Sequence, residues 1–145
     1  MRISTRGRYG TRLMVDLARH YADGPVPLAE IAKRQNLSVK YLEHLIILLK
    51  GKGLIRSFRG RRGGYMLARR PEEISVGEIV ETLEGKLSVV DCALEPALCY
   101  RADLCPTRDI WVGMTAVLKK ELFSLSLEDI IYQAKSVDDM QEIFD

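Results

Sequence analysis

Ser38-Val39-Lys40-Tyr41-Leu42-Glu43-His44-Leu45-Ile46-Ile47-Leu48-Leu49-Lys50 decides the fold. Ser38 is a good N-cap, and Leu42, Leu45, Ile46 and Leu49 then fall at i, i+3, i+4 and i+7, which makes one buried stripe on a helix. The opposite face carries Lys40, Glu43, His44 and Lys50, with Tyr41 at its edge. Just upstream, Leu28-Ala29-Glu30-Ile31-Ala32-Lys33-Arg34-Gln35 reads as a short helix with an acid in its first turn, and Asn36-Leu37-Ser38 breaks it. Two helices joined by a three-residue turn, the second polar near its N-terminus, form a helix-turn-helix pattern. Many helical hairpins share that pattern without reading DNA, so the flanking stretches decide its meaning.

Downstream, Gly51-Lys52-Gly53 stops the helix, Leu54-Ile55-Arg56-Ser57-Phe58-Arg59 reads as a strand, and Tyr65-Met66-Leu67-Ala68 reads as its return. Between them lies Gly60-Arg61-Arg62-Gly63-Gly64. A hairpin with a glycine- and arginine-rich tip directly after a helix-turn-helix is the wing of a winged-helix domain, and its glycines let the backbone approach a groove closely. Upstream, Leu13, Met14, Leu17, Ala18 and Tyr21 mark a first helix from about Thr5 to Tyr21, ended by Gly24-Pro25. Its opening carries Arg2, Arg6, Arg8 and Arg12. Next to a wing, that density reads as a phosphate-contacting edge rather than a solvated face.

Charge divides the chain in the same sense. Residues 1–70 hold 16 Lys/Arg against 4 Asp/Glu, or +12, and residues 71–145 hold 6 against 16, or −10, so only the first half suits a polyanion. With 145 residues, 47% of them hydrophobic, one full core with an appended element is expected. The first residues have no apolar run to follow their cations, and no run of about 18 apolar residues occurs, so the expectation is a cytoplasmic protein without a membrane span.

In the second half, Ser75-Val76-Gly77-Glu78 forms a capping box, and Val76, Ile79, Val80 and Leu83 give the buried face of a helix ending near Gly85. Pro106 is placed to start a long helix in which Ile110, Trp111, Met114, Val117, Leu118 and Leu122 form an apolar stripe to about Ser124. That stripe exceeds what the compact domain covers and suits a homodimer, whose two-fold axis would match a palindromic operator in double-stranded DNA. Ser126-Leu127-Glu128-Asp129 caps a further short helix, and the acidic end from Ser136 is expected to fray. The expected fold is mostly α with a small β-hairpin wing. It comprises a winged helix-turn-helix domain at 1–85, a cysteine loop at 86–106, and a dimerisation helix with C-terminal short helices at 107–145.

The cysteine loop, Cys92-Ala93-Leu94-Glu95-Pro96-Ala97-Leu98-Cys99-Tyr100-Arg101-Ala102-Asp103-Leu104-Cys105, contains all three cysteines of the chain. An odd count in a reducing compartment argues against a disulfide framework and favours metal binding or redox sensing. Gaps of six and five residues fit zinc poorly, because zinc ligand pairs usually enclose two to four residues. Iron-sulfur clusters also take thiolates, and a longer loop can wrap around one. Candidates for a fourth ligand are Asp91, Glu95, Asp103, Asp109, a residue of a partner subunit or an external molecule. His20 reads as a packed or surface imidazole, and His44 belongs to the reading face.

These motifs together resemble the IscR-type family of winged-helix regulators. Met1-Arg2-Ile3-Ser4-Thr5-Arg6-Gly7-Arg8-Tyr9, Gly24-Pro25-Val26-Pro27-Leu28-Ala29, Ser38-Val39-Lys40-Tyr41-Leu42-Glu43, Arg59-Gly60-Arg61-Arg62-Gly63-Gly64-Tyr65 and the three-cysteine loop stand in family order from residue 1 to about 135. The family includes iron-sulfur, nitric-oxide and iron sensors and cluster-free regulators of cysteine metabolism. The resemblance implies Ser38, Lys40, Tyr41, Glu43 and His44 as major-groove contacts and Arg59 as a minor-groove contact. Arg2 and Arg61 join them from the basic edge and the wing tip. The resemblance also implies a 2Fe-2S or 4Fe-4S cluster on Cys92, Cys99 and Cys105. Two departures stand out: Arg108 occupies the position of the IscR histidine ligand, and Arg8 that of the aspartate of the nitric-oxide branch.

The leading expectation is therefore a homodimeric transcription regulator sensing iron-sulfur status through its three cysteines. The alternative is a cluster-free thiol- or zinc-dependent regulator. An enzyme is not expected, because the second half has no glycine-rich phosphate loop and no set of nucleophile, base and orienter.

Overall fold

Ser38 caps its helix as its position suggests: its Oγ accepts from the Tyr41 backbone N–H at 3.1 Å. The computed structural model describes residues 1–144, with side chains through Lys135. The chain runs through α1 (Thr5–Arg19), α2 (Leu28–Gln35), α3 (Val39–Gly51), β1 (Ile55–Phe58), β2 (Gly64–Leu67), α4 (Val76–Glu84), α5 (Arg108–Ser124) and α6 (Leu127–Phe144). The architecture is mostly helical with one two-stranded antiparallel sheet, as expected.

Caps and breakers set the boundaries. Asn36 ends α2 in the left-handed conformation (φ 53°), where asparagine is tolerated, and this produces the turn into α3. Ser75 and Glu78 complete the capping box of α4: Glu78 N–H donates to Ser75 Oγ at 3.1 Å, and Ser75 N–H donates to Glu78 Oε2 at 3.0 Å.

In the wing, Ile55 faces Leu67, Arg56 faces Met66, Ser57 faces Tyr65 and Phe58 faces Gly64. Val26 adds a single bridge to Tyr65, exchanging bonds of 2.8 and 2.9 Å. Gly64 lies at φ 149°, and a Cβ there would strike the Val26 backbone, so this glycine is required for that bridge.

The core lies between α1, α3 and α4. Leu13, Met14, Leu17, Leu42, Leu49, Ile74 and Ile79 are fully buried there, each such side chain stabilising the fold by about 1.5–3 kcal/mol. The helix at α4 serves two cores. Ile79 and Leu83 face the main one, while Val76 and Val80 join Leu87 in a smaller cluster with Ile3, Leu122, Leu125 and Ile130.

Three expectations need correction. The first helix ends at Arg19, and Tyr21 lies in a separate 3₁₀ turn, Tyr21–Asp23. The long helix starts at Arg108 rather than Pro106, and the Thr107 hydroxyl meets Cys105 Sγ at 3.3 Å instead of capping it. The last helix is not short. Asp129 Oδ2 accepts from Ser126 N–H at 2.8 Å, Leu127 and Ile131 enter the main core, and no glycine or proline interrupts the chain before Phe144. The fraying expected from Ser136 falls outside the described side chains.

Candidate nucleic-acid interface and cysteine loop

The polar face of α3 points outward. Lys40, Glu43 and His44 are exposed on one stripe with Ile47, opposite buried Leu42, Leu45, Ile46 and Leu49. Ser38 is exposed at the cap of this helix. Tyr41 differs from the others: its ring meets Tyr9 edge-on at 6.1 Å, and its hydroxyl is enclosed without a hydrogen-bond partner. A groove contact by that hydroxyl would require the ring to turn outward.

Beside α3 stands the wing, with Arg59 and Arg61 exposed at its tip. Lys50 Nζ donates to Ser57 Oγ at 2.7 Å and ties the end of α3 to the wing strand. Arg2 and Arg6 are exposed at the start of α1, and Arg6 shares a cleft with Tyr41, His44, Ile47 and Leu48 of α3. The basic arm, the reading helix and the wing thus bring together residues that are distant in sequence. A helix of this kind fits a major groove, and glycine-backed arginines fit a narrow minor groove.

An ion pair with one buried partner, Asp16, holds the reading unit to α1. Asp16, only 4% exposed, accepts from Arg34 at 3.1 and 2.8 Å and from Gln35 Nε2 at 2.8 Å. Gln35 in turn accepts from Arg12 at 3.1 Å through Oε1 and at 2.8 Å through its carbonyl. Burial pushes the Asp16 carboxyl up, but hydrogen bonds from Arg34 and Gln35 and the charges of Arg34 and His20 outweigh it and hold it below its usual value. His20 is packed, its Nδ1 bonded to the Asp16 carbonyl at 2.8 Å. The only sequence signal for this network is an acid set inside the apolar stripe of α1.

The cysteine loop is built from three single 3₁₀ turns, Asp91–Ala93, Pro96–Leu98 and Ala102–Leu104. It is anchored at its ends. Val89 N–H donates to Thr115 Oγ1 at 3.3 Å, and Arg108 Nε donates to the Cys92 carbonyl at 3.0 Å. Arg108 therefore acts as a backbone tie. In between, Leu98, Tyr100 and Leu104 are 64%, 92% and 91% exposed.

Cys92, Cys99 and Cys105 are free and half-buried. In kind, three free thiols on one short loop fit a thiolate-bound group. In position they do not yet close on one: among the described residues no three Cys, His, Asp or Glu side chains, Asp91, Glu95, Asp103 and Asp109 included, stand together as a metal-holding set. Holding such a group would take a movement of the loop. The Thr107 hydroxyl, then the Thr107 and Arg108 backbone N–H groups and the Arg101 charge, lower the Cys105 thiol below its usual value.

The α5 stripe is largely uncovered. Ile110, Met114 and Val117 are 54%, 51% and 70% exposed and line an apolar groove of about 980 Å³ with Met1 and Ile3. No helix among the described residues is long and apolar enough to cross a membrane.

The chain is similar to known regulators along most of its length. It is 42% identical over 134 residues to protein rrf2 of Nitratidesulfovibrio vulgaris, covering 92% of this chain and 89% of the relative. It is 39% identical over 146 residues to the HTH-type transcriptional regulator CymR of Bacillus subtilis, covering 99% and 97%. The solved structure of T. potens IscR superposes with a TM-score of 0.78 at 39% identity, covering 94% of this chain and 90% of that one. Among the relatives, CymR and IscR proteins are named HTH-type transcriptional regulators. Residues 3–133 match the family model Rrf2, described as an iron-dependent transcriptional regulator, and with the reading helix, wing and relatives in agreement the chain belongs to the Rrf2 family of transcriptional regulators.

Proposed function

We propose that this regulator is a cytoplasmic homodimer whose operator binding answers to an iron-sulfur cluster held by Cys92, Cys99 and Cys105. The observation that carries the reading is the placement of every cysteine, all free, on one exposed loop between α4, which packs on the reading domain, and the uncovered helix α5. Ser38, Lys40, Glu43 and His44 read the major groove, Arg59 and Arg61 enter the minor groove, and Arg2 meets the backbone. Tyr41 supports the reading helix through Tyr9 and joins the contacts if its ring turns. The uncovered α5 stripe supports pairing of two copies, which sets the separation of two reading heads on a palindromic operator.

When bound, the cluster supplies iron that reacts with oxygen or nitric oxide or is lost when iron is scarce. The work of this chain is to convert that event into geometry. Engaging the three thiolates would draw the loop together, and the Arg108 tie and the Thr115 contact, already formed with the thiols free, would pass that movement to α5 and change the spacing of the heads. Similarity to IscR proteins supports this reading.

Two observations favour a second reading, a cluster-free thiol regulator: the Thr107 hydroxyl lowers the Cys105 thiol, and the chain is as similar to CymR, the global cysteine regulator of B. subtilis, as to T. potens IscR. Anaerobic purification with visible absorbance and iron and sulfide analysis separates the two. The cluster reading expects a coloured protein with both elements, lost in Cys92→Ala. A colourless, iron-free protein whose affinity for a selected operator is unchanged by Cys92→Ala would remove the cluster and leave the DNA reading intact. Zinc analysis and thiol titration then test the second reading.

A further inference from the structure

The first turn of α1 is held by a carboxylate from the far end of the domain. Glu84, the last residue of α4, accepts from Ser4 N–H at 3.1 Å and Gly7 N–H at 2.9 Å, and the Ser4 hydroxyl donates to the same Oε1. The first N–H groups of a helix have no partners within it, and the helix dipole favours a negative charge there, so Glu84 reinforces across the fold the local N-cap Ser4, whose Oγ also accepts from Gly7 N–H at the longer distance of 3.3 Å. Gly7 makes room for it: a Cβ at this position would collide with the Glu84 carboxylate. Ile3 packs beside the clamp on Val76, Val80 and Leu87.

The clamped turn borders the reading face. Arg6 lies between Ser4 and Gly7 in sequence and lines a cleft of about 350 Å³ with Tyr41, His44, Ile47 and Leu48 of α3. Because Glu84 already occupies the Ser4 and Gly7 N–H groups, this helix end offers a phosphate its arginine rather than those amides. Glu84 also immediately precedes Gly85, at φ 91°, where the chain leaves toward the cysteine loop.

We propose that Glu84 is a positioning residue for DNA binding: by clamping Ser4 and Gly7 it fixes the first turn of α1 so that Arg6 meets the phosphate backbone beside the reading helix. The proposal rests on the DNA reading above and adds a residue that touches no DNA itself.

Operator affinity against salt concentration tests it for the full-length wild type, Glu84→Ala, Glu84→Gln, Gly7→Ala, Arg6→Ala and the Glu84→Ala/Arg6→Ala pair, with thermal melts run in parallel. Arg6→Ala should weaken binding about fivefold and reduce the salt slope by about one, as loss of one phosphate contact does. Glu84→Ala should do the same, and the double variant should bind no more weakly than Arg6→Ala alone, because both changes remove one contact. Gly7→Ala, which displaces the carboxylate without deleting it, should repeat the loss and stands in if Glu84→Ala does not fold. Glu84→Gln keeps an acceptor oxygen and should retain most of the affinity. The proposal is overturned if Arg6→Ala is silent, if the two effects multiply, or if the clamp variants melt lower while affinity and salt slope stay unchanged. Absence of salt-dependent binding by the wild type would instead strike the DNA reading itself.

Discussion

The reading domain and the cysteine loop are built on opposite terms. In the domain, α1, α3 and α4 bury a continuous leucine and isoleucine core, and α1 buries even a charged residue, Asp16, whose partner Arg34 reaches it from the surface. Between Asp91 and Thr107 only Ala102 is buried, while Leu98, Tyr100 and Leu104 stand in solvent. The first region carries its own reasons for being folded. The second is held at its two ends and exposes apolar side chains along its middle.

The contrast breaks if the two regions respond alike to substitution. The largest effect is expected in the core: Leu13→Ala should cost about 3 kcal/mol in urea unfolding, because it opens a cavity at a fully buried site. Asp16→Ala comes next, at about 2 kcal/mol. That is less than for a fully buried pair, because the Arg34 side chain it abandons is 35% exposed and still reaches water.

The same carboxylate sets a pH dependence. Its folded value lies below its unfolded one, so its contribution is complete above the ordinary carboxylate range and disappears as pH falls through the lowered folded value. Acid unfolding of the wild type should therefore show a component, confined to that acidic window, that Asp16→Asn lacks.

Arg59→Ala should weaken operator binding about tenfold, roughly 1.4 kcal/mol, and lose part of the preference for a narrow, A·T-rich groove, with urea stability unchanged. The smallest effect belongs to the loop, where Leu104→Ser should alter urea stability by no more than about 0.5 kcal/mol. A loss of several kcal/mol there would mean that the loop packs as tightly as the domain and would erase the contrast.

How far the sequence could be read follows the same division. The reading helix and wing were legible because their signals are local: Ser38 sits at the cap, leucines recur at helical spacing, and glycines bracket the arginines. The Glu84 clamp was not legible, since its partners lie 80 and 77 residues away and nothing near Glu84 announces them. Asp16 was not singled out either, because its partner Arg34 is on another helix. In the loop, the cysteine spacing pointed to a shared ligand, while the three short turns that carry the thiols have no periodicity to read. The length of α6 was underestimated because its cap is local but its continuation depends on packing against α1.

Operator affinity of the anaerobically purified protein, compared with that of the same protein after iron removal, decides whether the cluster controls DNA binding. A cluster-responsive regulator should show a difference of about tenfold or more in the wild type, within the usual range of coupling between sites, and none in Cys92→Ala. Equal affinity of an iron-loaded and an iron-free wild type would contradict that control.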